Sequence, residues 1–122
     1  MKVLLLGSGG REHAMAHAFL KSPLLTQLWV LPGNPGMKKN LPASLQSKIE
    51  LISGKDDELP FIEKICRELR PDLVVVGPER PLTLGVADRL QQIQIPVFGP
   101  SKAAAELEGS KIFAKKFMVE TN

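Results

Sequence analysis

Apolar residues along this chain fall into two alternating patterns. Short unbroken runs give way to stretches in which they recur every three or four positions. Val3 to Leu6 and Leu73 to Val76 are unbroken, as expected of strands buried on both faces. After the first run, Ala14, Met15, Ala18 and Phe19 repeat at helical spacing, which predicts a helix burying those four until Ser22-Pro23 stops it. Gln27 to Leu31 reads as a second strand, and Ile49 to Ile52 as a short third one near a sheet edge. Phe61, Ile62, Ile65, Cys66 and Leu69 form the apolar face of a helix that starts after Asp56-Asp57. That helix tolerates Pro60 in its first turn and ends at Pro71. A helix from about Leu82 to Gln92, interrupted near its start by Gly85, leads to a last strand at Pro96-Val97-Phe98. Ser101 is placed to cap an Ala-rich helix, and Lys111 to Val119 is helical again after Gly109. Between Met37 and Ser53 little periodicity is visible apart from that third strand.

Strand and helix alternate throughout, so the pattern predicts an α/β fold with an open, mainly parallel sheet flanked by helices. In such sheets ligands bind outside the carboxyl ends of the strands, near the point where strand order reverses. Gly7 to Glu12, Pro32 to Gly36, Gly77 to Pro81 and Gly99 to Lys102 each follow a predicted strand. They are therefore expected to share one rim.

Composition narrows the function without changing this picture. A chain of 122 residues with 43% hydrophobic content suits one domain with one sizeable core. The formal charge of +3 is spread over scattered lysines with no polybasic block, so no nucleic-acid partner is expected. Cys66 is the only cysteine, which excludes an internal disulfide and a Cys-based zinc site. It lies on an apolar helix face and reads as a buried structural thiol. No run approaches the roughly 18 apolar residues of a membrane span. The first strand begins at once, leaving no room for a signal peptide, and a soluble cytoplasmic protein is expected.

The chemistry concentrates in the loops. Gly7-Ser8-Gly9-Gly10 joins a strand to a helix start, where unpaired N–H groups and the positive end of the helix dipole suit an anion. A dinucleotide fingerprint would require a third glycine at position 12 and a ribose-binding acid about 20 residues on. Position 12 is Glu12, and proline and glycine stand where the acid would be. A single phosphate on the Gly9 and Gly10 amides fits better, with Arg11 free to pair with it and Glu12 free to accept from a hydroxyl or an amine. The same residues also suit a plain tight turn whose Arg11 and Glu12 are solvated. Asn34 either binds a ligand or closes an Asx-turn. Glu79, in a loop stiffened by Pro78 and Pro81, either holds a sugar hydroxyl or amine or is simply exposed. His13 and His17 share a helix face but lack a third ligand, so packing or capping is expected of them instead of metal binding.

Four segments taken together are specific. They are Gly7-Ser8-Gly9-Gly10-Arg11-Glu12-His13; Pro32-Gly33-Asn34-Pro35-Gly36; Val75-Val76-Gly77-Pro78-Glu79-Arg80-Pro81-Leu82; and the run from Phe98 through Gly99-Pro100-Ser101-Lys102 to Ser110-Lys111. Their order and spacing resemble the phosphoribosylamine–glycine ligase family of ATP-grasp enzymes over essentially the whole chain. The resemblance implies the Rossmann-like N-terminal domain of those enzymes over residues 1–106, with 107–122 beginning a truncated ATP-grasp region.

It further implies a ligase of purine biosynthesis. ATP activates glycine as glycyl phosphate, the amine of 5-phosphoribosylamine attacks it, and Mg²⁺ or Mn²⁺ assists. By the same resemblance, Gly9, Gly10, Arg11 and Glu12 line the phosphoribosylamine site, bordered by Pro32, Gly33, Asn34, Gly77, Pro78 and Glu79. Lys111 lies near the nucleotide phosphates. No catalytic or metal-ligating residue is assigned, and the chain alone is expected to bind neither ATP nor metal and to be inactive. Its implied partners are the small-molecule substrates and the remaining domains of the same enzyme. The alternative is a stand-alone Rossmann-like nucleotide-binding module.

Overall fold

The computed structural model describes residues 1–99. Five strands run in sequence: β1 (Lys2–Gly7), β2 (Gln27–Pro32), β3 (Ile49–Leu51), β4 (Leu73–Val76) and β5 (Val97–Phe98). They form one sheet in the order β3-β2-β1-β4-β5, and every pairing is parallel. The expected α/β architecture is therefore present, with β3 at an edge. The chain first builds outward from β1 through β2 to β3, then returns to place β4 on the other side of β1. Strand order thus reverses between β1 and β4, where a parallel sheet opens a crevice at its carboxyl end.

Successive side chains on a strand point to opposite faces, and here each face has its own core. Val3 and Leu5 of β1 point into a cluster with Met15, Phe19, Leu28, Val30 and Val75. Leu4 and Leu6 point the other way, among Leu31, Ile62, Cys66, Val74, Val76 and Leu90. Because both faces are covered, β1 and β4 read as unbroken apolar runs and not as alternating ones.

Helix α1 (Gly10–Leu20) covers the first face, while α3 (Leu59–Leu69) and α5 (Val86–Gln91) cover the second. A four-residue helix α2 (Ala43–Gln46) and a 3₁₀ turn at Pro35–Lys38 fill the segment that showed little pattern. The buried stripe of α1 differs from expectation: Ala14 is exposed and Ala18 only half-buried, whereas Met15, Ala16, Phe19 and Leu20 are buried. Alanine carries little apolar surface, so the larger Met15, Phe19 and Leu20 set the rotation of the helix.

The expected helix from Leu82 to Gln92 is two helices. α4 (Arg80–Thr83) ends and α5 starts around Gly85, whose φ of 93° lies in the left-handed region. Arg80 and Pro81 therefore belong to the first turn of α4, not to a loop, and Pro81 is buried. α3 ends at Arg70, which itself adopts φ 51°, just before Pro71. The expected helices beyond Ser101, with Lys102 and Lys111, lie outside the described residues.

Candidate functional site

The loops that follow β1, β2 and β4 meet at the carboxyl edge of the sheet. Parallel register fixes this locally: Gly7 sits beside Pro32, and Leu6 beside Val76. Beyond the strands the loops are joined directly. The Gly33 N–H donates to the Gly7 carbonyl at 3.0 Å, and the Gly77 N–H to the Leu6 carbonyl at 2.9 Å. Asn34 donates from Nδ2 to the Ser8 carbonyl at 2.8 Å. Asn34 thus closes no Asx-turn of its own; it ties the second loop to the glycine turn. The Leu31–Pro32 peptide is cis.

Glu12 holds the centre of this edge. Its residue surface is only 8% exposed, the one charged side chain buried among the described residues. Helix geometry places it at the third position of α1, from which its side chain turns back toward the strand ends. Oε1 accepts a hydrogen bond from the Gly9 N–H at 3.1 Å, the reciprocal half of a capping box.

Glu12 fits there because two glycines leave room. A β-carbon on Gly7 would stand 2.4 Å from Glu12 Cγ and 2.4 Å from Oε1, and one on Gly77 would stand 2.4 Å from Cγ and 2.5 Å from Cδ. Gly7 is also at φ 132°, a conformation that other residues rarely take. The fingerprint glycine absent at position 12 is therefore replaced by a carboxylate lying inside the β1/β4 crevice.

One consequence concerns the amides available to an anion. The Gly9 N–H is already used by Glu12, so the free donors of the first turn start at Gly10 and Arg11. The space above Gly10 is open: a β-carbon there would meet nothing within 4 Å. Arg11 is exposed beside it. Pro78 is half-buried and Glu79 exposed, two residues beyond Gly77 and immediately before α4.

A fourth loop was not identified as part of the site from sequence. The connection from β3 to α3 passes from the sheet edge toward β4, where Asp57 Oδ2 accepts from Arg80 Nε at 2.9 Å. Asp56 beside it is half-buried and faces both Asp57 and Glu12. Burial first, then these two neighbouring charges, raise its carboxyl above the ordinary value. The signal was present in the pattern: a loop after any strand of a parallel sheet opens on the same rim, and this one carries two aspartates. The sequence pattern marks them only as residues preceding a helix, yet neither side chain caps it, and Glu58 holds the cap position.

His13 and His17 pack edge to face, with ring centres 4.6 Å apart and planes at 67°. His13 also lies against Gly36 of the second loop. Among the described residues no three His, Cys, Asp or Glu side chains gather to hold a metal ion. No helix among them is long and apolar enough to cross a membrane.

Residues 1–108 match the family described as "Phosphoribosylglycinamide synthetase, N domain". Among curated proteins, the chain is 50% identical over its full 122 residues to a phosphoribosylamine–glycine ligase of Mesorhizobium japonicum, covering 27% of that protein. It is 47% identical over 98% of its length to the enzyme of that name from Synechocystis, again covering 27% of the relative. With the Haemophilus influenzae protein of the same name, identity is 41% over 97% of the chain and 26% of the relative. The chain therefore spans about a quarter of the length of these relatives.

Proposed function

Since the chain belongs to the phosphoribosylglycinamide synthetase N-domain family, we propose that it is the substrate-holding N-terminal part of a cytoplasmic ligase of purine biosynthesis. That ligase joins 5-phosphoribosylamine to glycine. The observation that carries this reading is the joining of three loops at one carboxyl edge, where α1 begins with Gly10 and Arg11, first-turn residues whose N–H groups have no partner within the helix.

A phosphate monoester seated at the start of α1 meets those two N–H groups, the positive end of the helix dipole and the Arg11 guanidinium. The ribose then extends along the edge toward Gly77, Pro78 and Glu79, with Pro32, Gly33 and Asn34 as the opposite wall. Glu79 and Asp56 are carboxylates at that edge suited to accept from sugar hydroxyls or from the amine. Glu12 fixes the turn on which the phosphate sits.

In the reaction, ATP phosphorylates the glycine carboxylate to glycyl phosphate and leaves as ADP. The amine nitrogen of phosphoribosylamine attacks the carbonyl carbon, a C–N bond forms, and the C–O bond to phosphate breaks. A divalent cation, Mg²⁺ or Mn²⁺, would neutralise charge on the transferring phosphoryl group. The described residues offer no gathered set of ligands for such an ion. We assign the cation, the glycine and most of the ATP contacts to the longer remainder seen in relatives, of whose length this chain spans about a quarter. Lys111 would reach toward the nucleotide phosphates, and residues from 107 onward would begin that remainder.

Titration of the ¹⁵N-labelled chain with ribose 5-phosphate tests the binding half. Gly10 and Arg11 amide signals are expected to move first and furthest. Movement confined to residues away from the strand ends, or none at millimolar ligand, would refute the site.

A further inference from the structure

In dinucleotide-binding α/β folds the pyrophosphate crosses the crevice where strand order reverses, over the first glycine turn. Here the equivalent crevice, between the ends of β1 and β4, is filled from within. The Glu12 side chain lies so close to the Gly7 and Gly77 backbones that a β-carbon on either would overlap its Cγ. It is buried to 8% exposure and held by the Gly9 N–H, the amide nearest where a pyrophosphate would approach.

We infer that Glu12 is a specificity-determining residue: by occupying the slot between Gly7 and Gly77 it bars pyrophosphate-bridged dinucleotides from this edge and leaves room only for a phosphate monoester at Gly10 and Arg11. The device needs all three residues. Two glycines leave the slot, and the carboxylate fills it. Occupancy is the operative property, because the displaced ligand group would have to share the volume of the Glu12 side chain. Charge adds repulsion of the same sign. The inference rests on the reading above for the position of the monoester, but its exclusion half has its own readout.

The test uses the full 122-residue chain, with NAD⁺ and ribose 5-phosphate as separate probes. Binding is followed by the amide signals of Gly7, Gly10 and Gly77. The unaltered chain should answer to ribose 5-phosphate and not to NAD⁺. Glu12→Gly empties the slot and should gain NAD⁺ affinity at least tenfold, with new shifts at Gly7 and Gly77. Glu12→Ala empties it with better helix propensity, and should show the same gain if the glycine variant does not fold. Glu12→Gln keeps the volume and the acceptor for the Gly9 N–H, and should stay closed to NAD⁺ within about threefold.

A folded Glu12→Ala chain with no gain, or a Glu12→Gln chain that opens as far as Glu12→Ala, would overturn the inference while leaving the monoester site standing. Loss of the ribose 5-phosphate response in the unaltered chain would instead remove the reading on which the monoester half depends.

Discussion

The Glu12 side chain passes so close to Gly77 that a β-carbon there would sit 2.4 Å from its Cγ. Two residues 65 positions apart therefore share one volume at the split of the sheet. Gly77 is not among the residues with positive φ, so its requirement for glycine comes from a close neighbour, Glu12, and not from its own backbone. Gly7 adds a second requirement through its own φ of 132°.

Gly77→Ala should accordingly destabilise the fold by about 1–3 kcal/mol through overpacking. The loss should shrink when Glu12→Ala is added, because the clash partner has gone. A double-mutant cycle in urea measures this as a coupling energy. Gly7→Ala should be rescued only in part, since its backbone strain remains. Equal, additive losses at both glycines would show that Glu12 does not set either requirement.

Asn34 links two loops through a single 2.8 Å hydrogen bond to the Ser8 carbonyl. Asn34→Ala should cost about 0.5–1.5 kcal/mol of stability. It should weaken ribose 5-phosphate binding more than a surface control such as Lys21→Ala, because the glycine turn loses its tether. Asn34→Asp removes the donor and sets a carboxylate against the Ser8 carbonyl and the phosphate, so it should lose more than the alanine change. Isothermal titration of the three variants separates the tether from mere bulk.

The shared rim was legible in the sequence because it follows from topology. Once Val3–Leu6 and Leu73–Val76 read as buried strands joined through helices, the loops after them had to open on one side. What the carboxylates do there was not legible. Glu12 marks the absence of a third fingerprint glycine, but only the positions of Gly7 and Gly77 reveal that its side chain lies inward, caps Gly9 and consumes that amide. Asp57 pairs with Arg80 at the start of α4, 23 residues away, and no local pattern connects the two. The face of α1 departs from its sequence pattern at Ala14 for a related reason: small residues fit either side of a helix, and their burial is decided by the larger neighbours.

Cys66 is fully buried in the second core, and burial pushes its thiol up to about 12. The reactive thiolate is then scarce at ordinary pH, and the sulfur is out of reach as well. The native chain should resist 5,5′-dithiobis(2-nitrobenzoate) at pH 8 and release about one equivalent of thionitrobenzoate in denaturant. Cys66→Ser should cost about 1–3 kcal/mol, since it leaves a hydroxyl among Leu4, Ile62 and Val74 in an apolar core. Rapid labelling of the native protein would place the thiol at the surface.

Asp56 gives a pH signature of the edge itself. Burial and the charges of Asp57 and Glu12 lift its carboxyl above the ordinary 3.8. The folded chain therefore holds that proton to a higher pH than the unfolded chain does. Its contribution to stability is most favourable below 3.8, declines as pH rises through the raised value, and is constant and unfavourable above it. Asp56→Asn, which cannot ionise, should stabilise the fold at neutral pH and lose that advantage as pH falls to about 4. Much of the group remains in reach of water, which holds the gain below about 1 kcal/mol. The slope, more than the size, is diagnostic: a gain from Asp56→Asn that stays level between pH 4 and 7 would mean that neither burial nor the neighbouring charges oppose ionisation of Asp56. Glu12→Gln should also reduce the effect, because it removes one of the charges that oppose ionisation of Asp56.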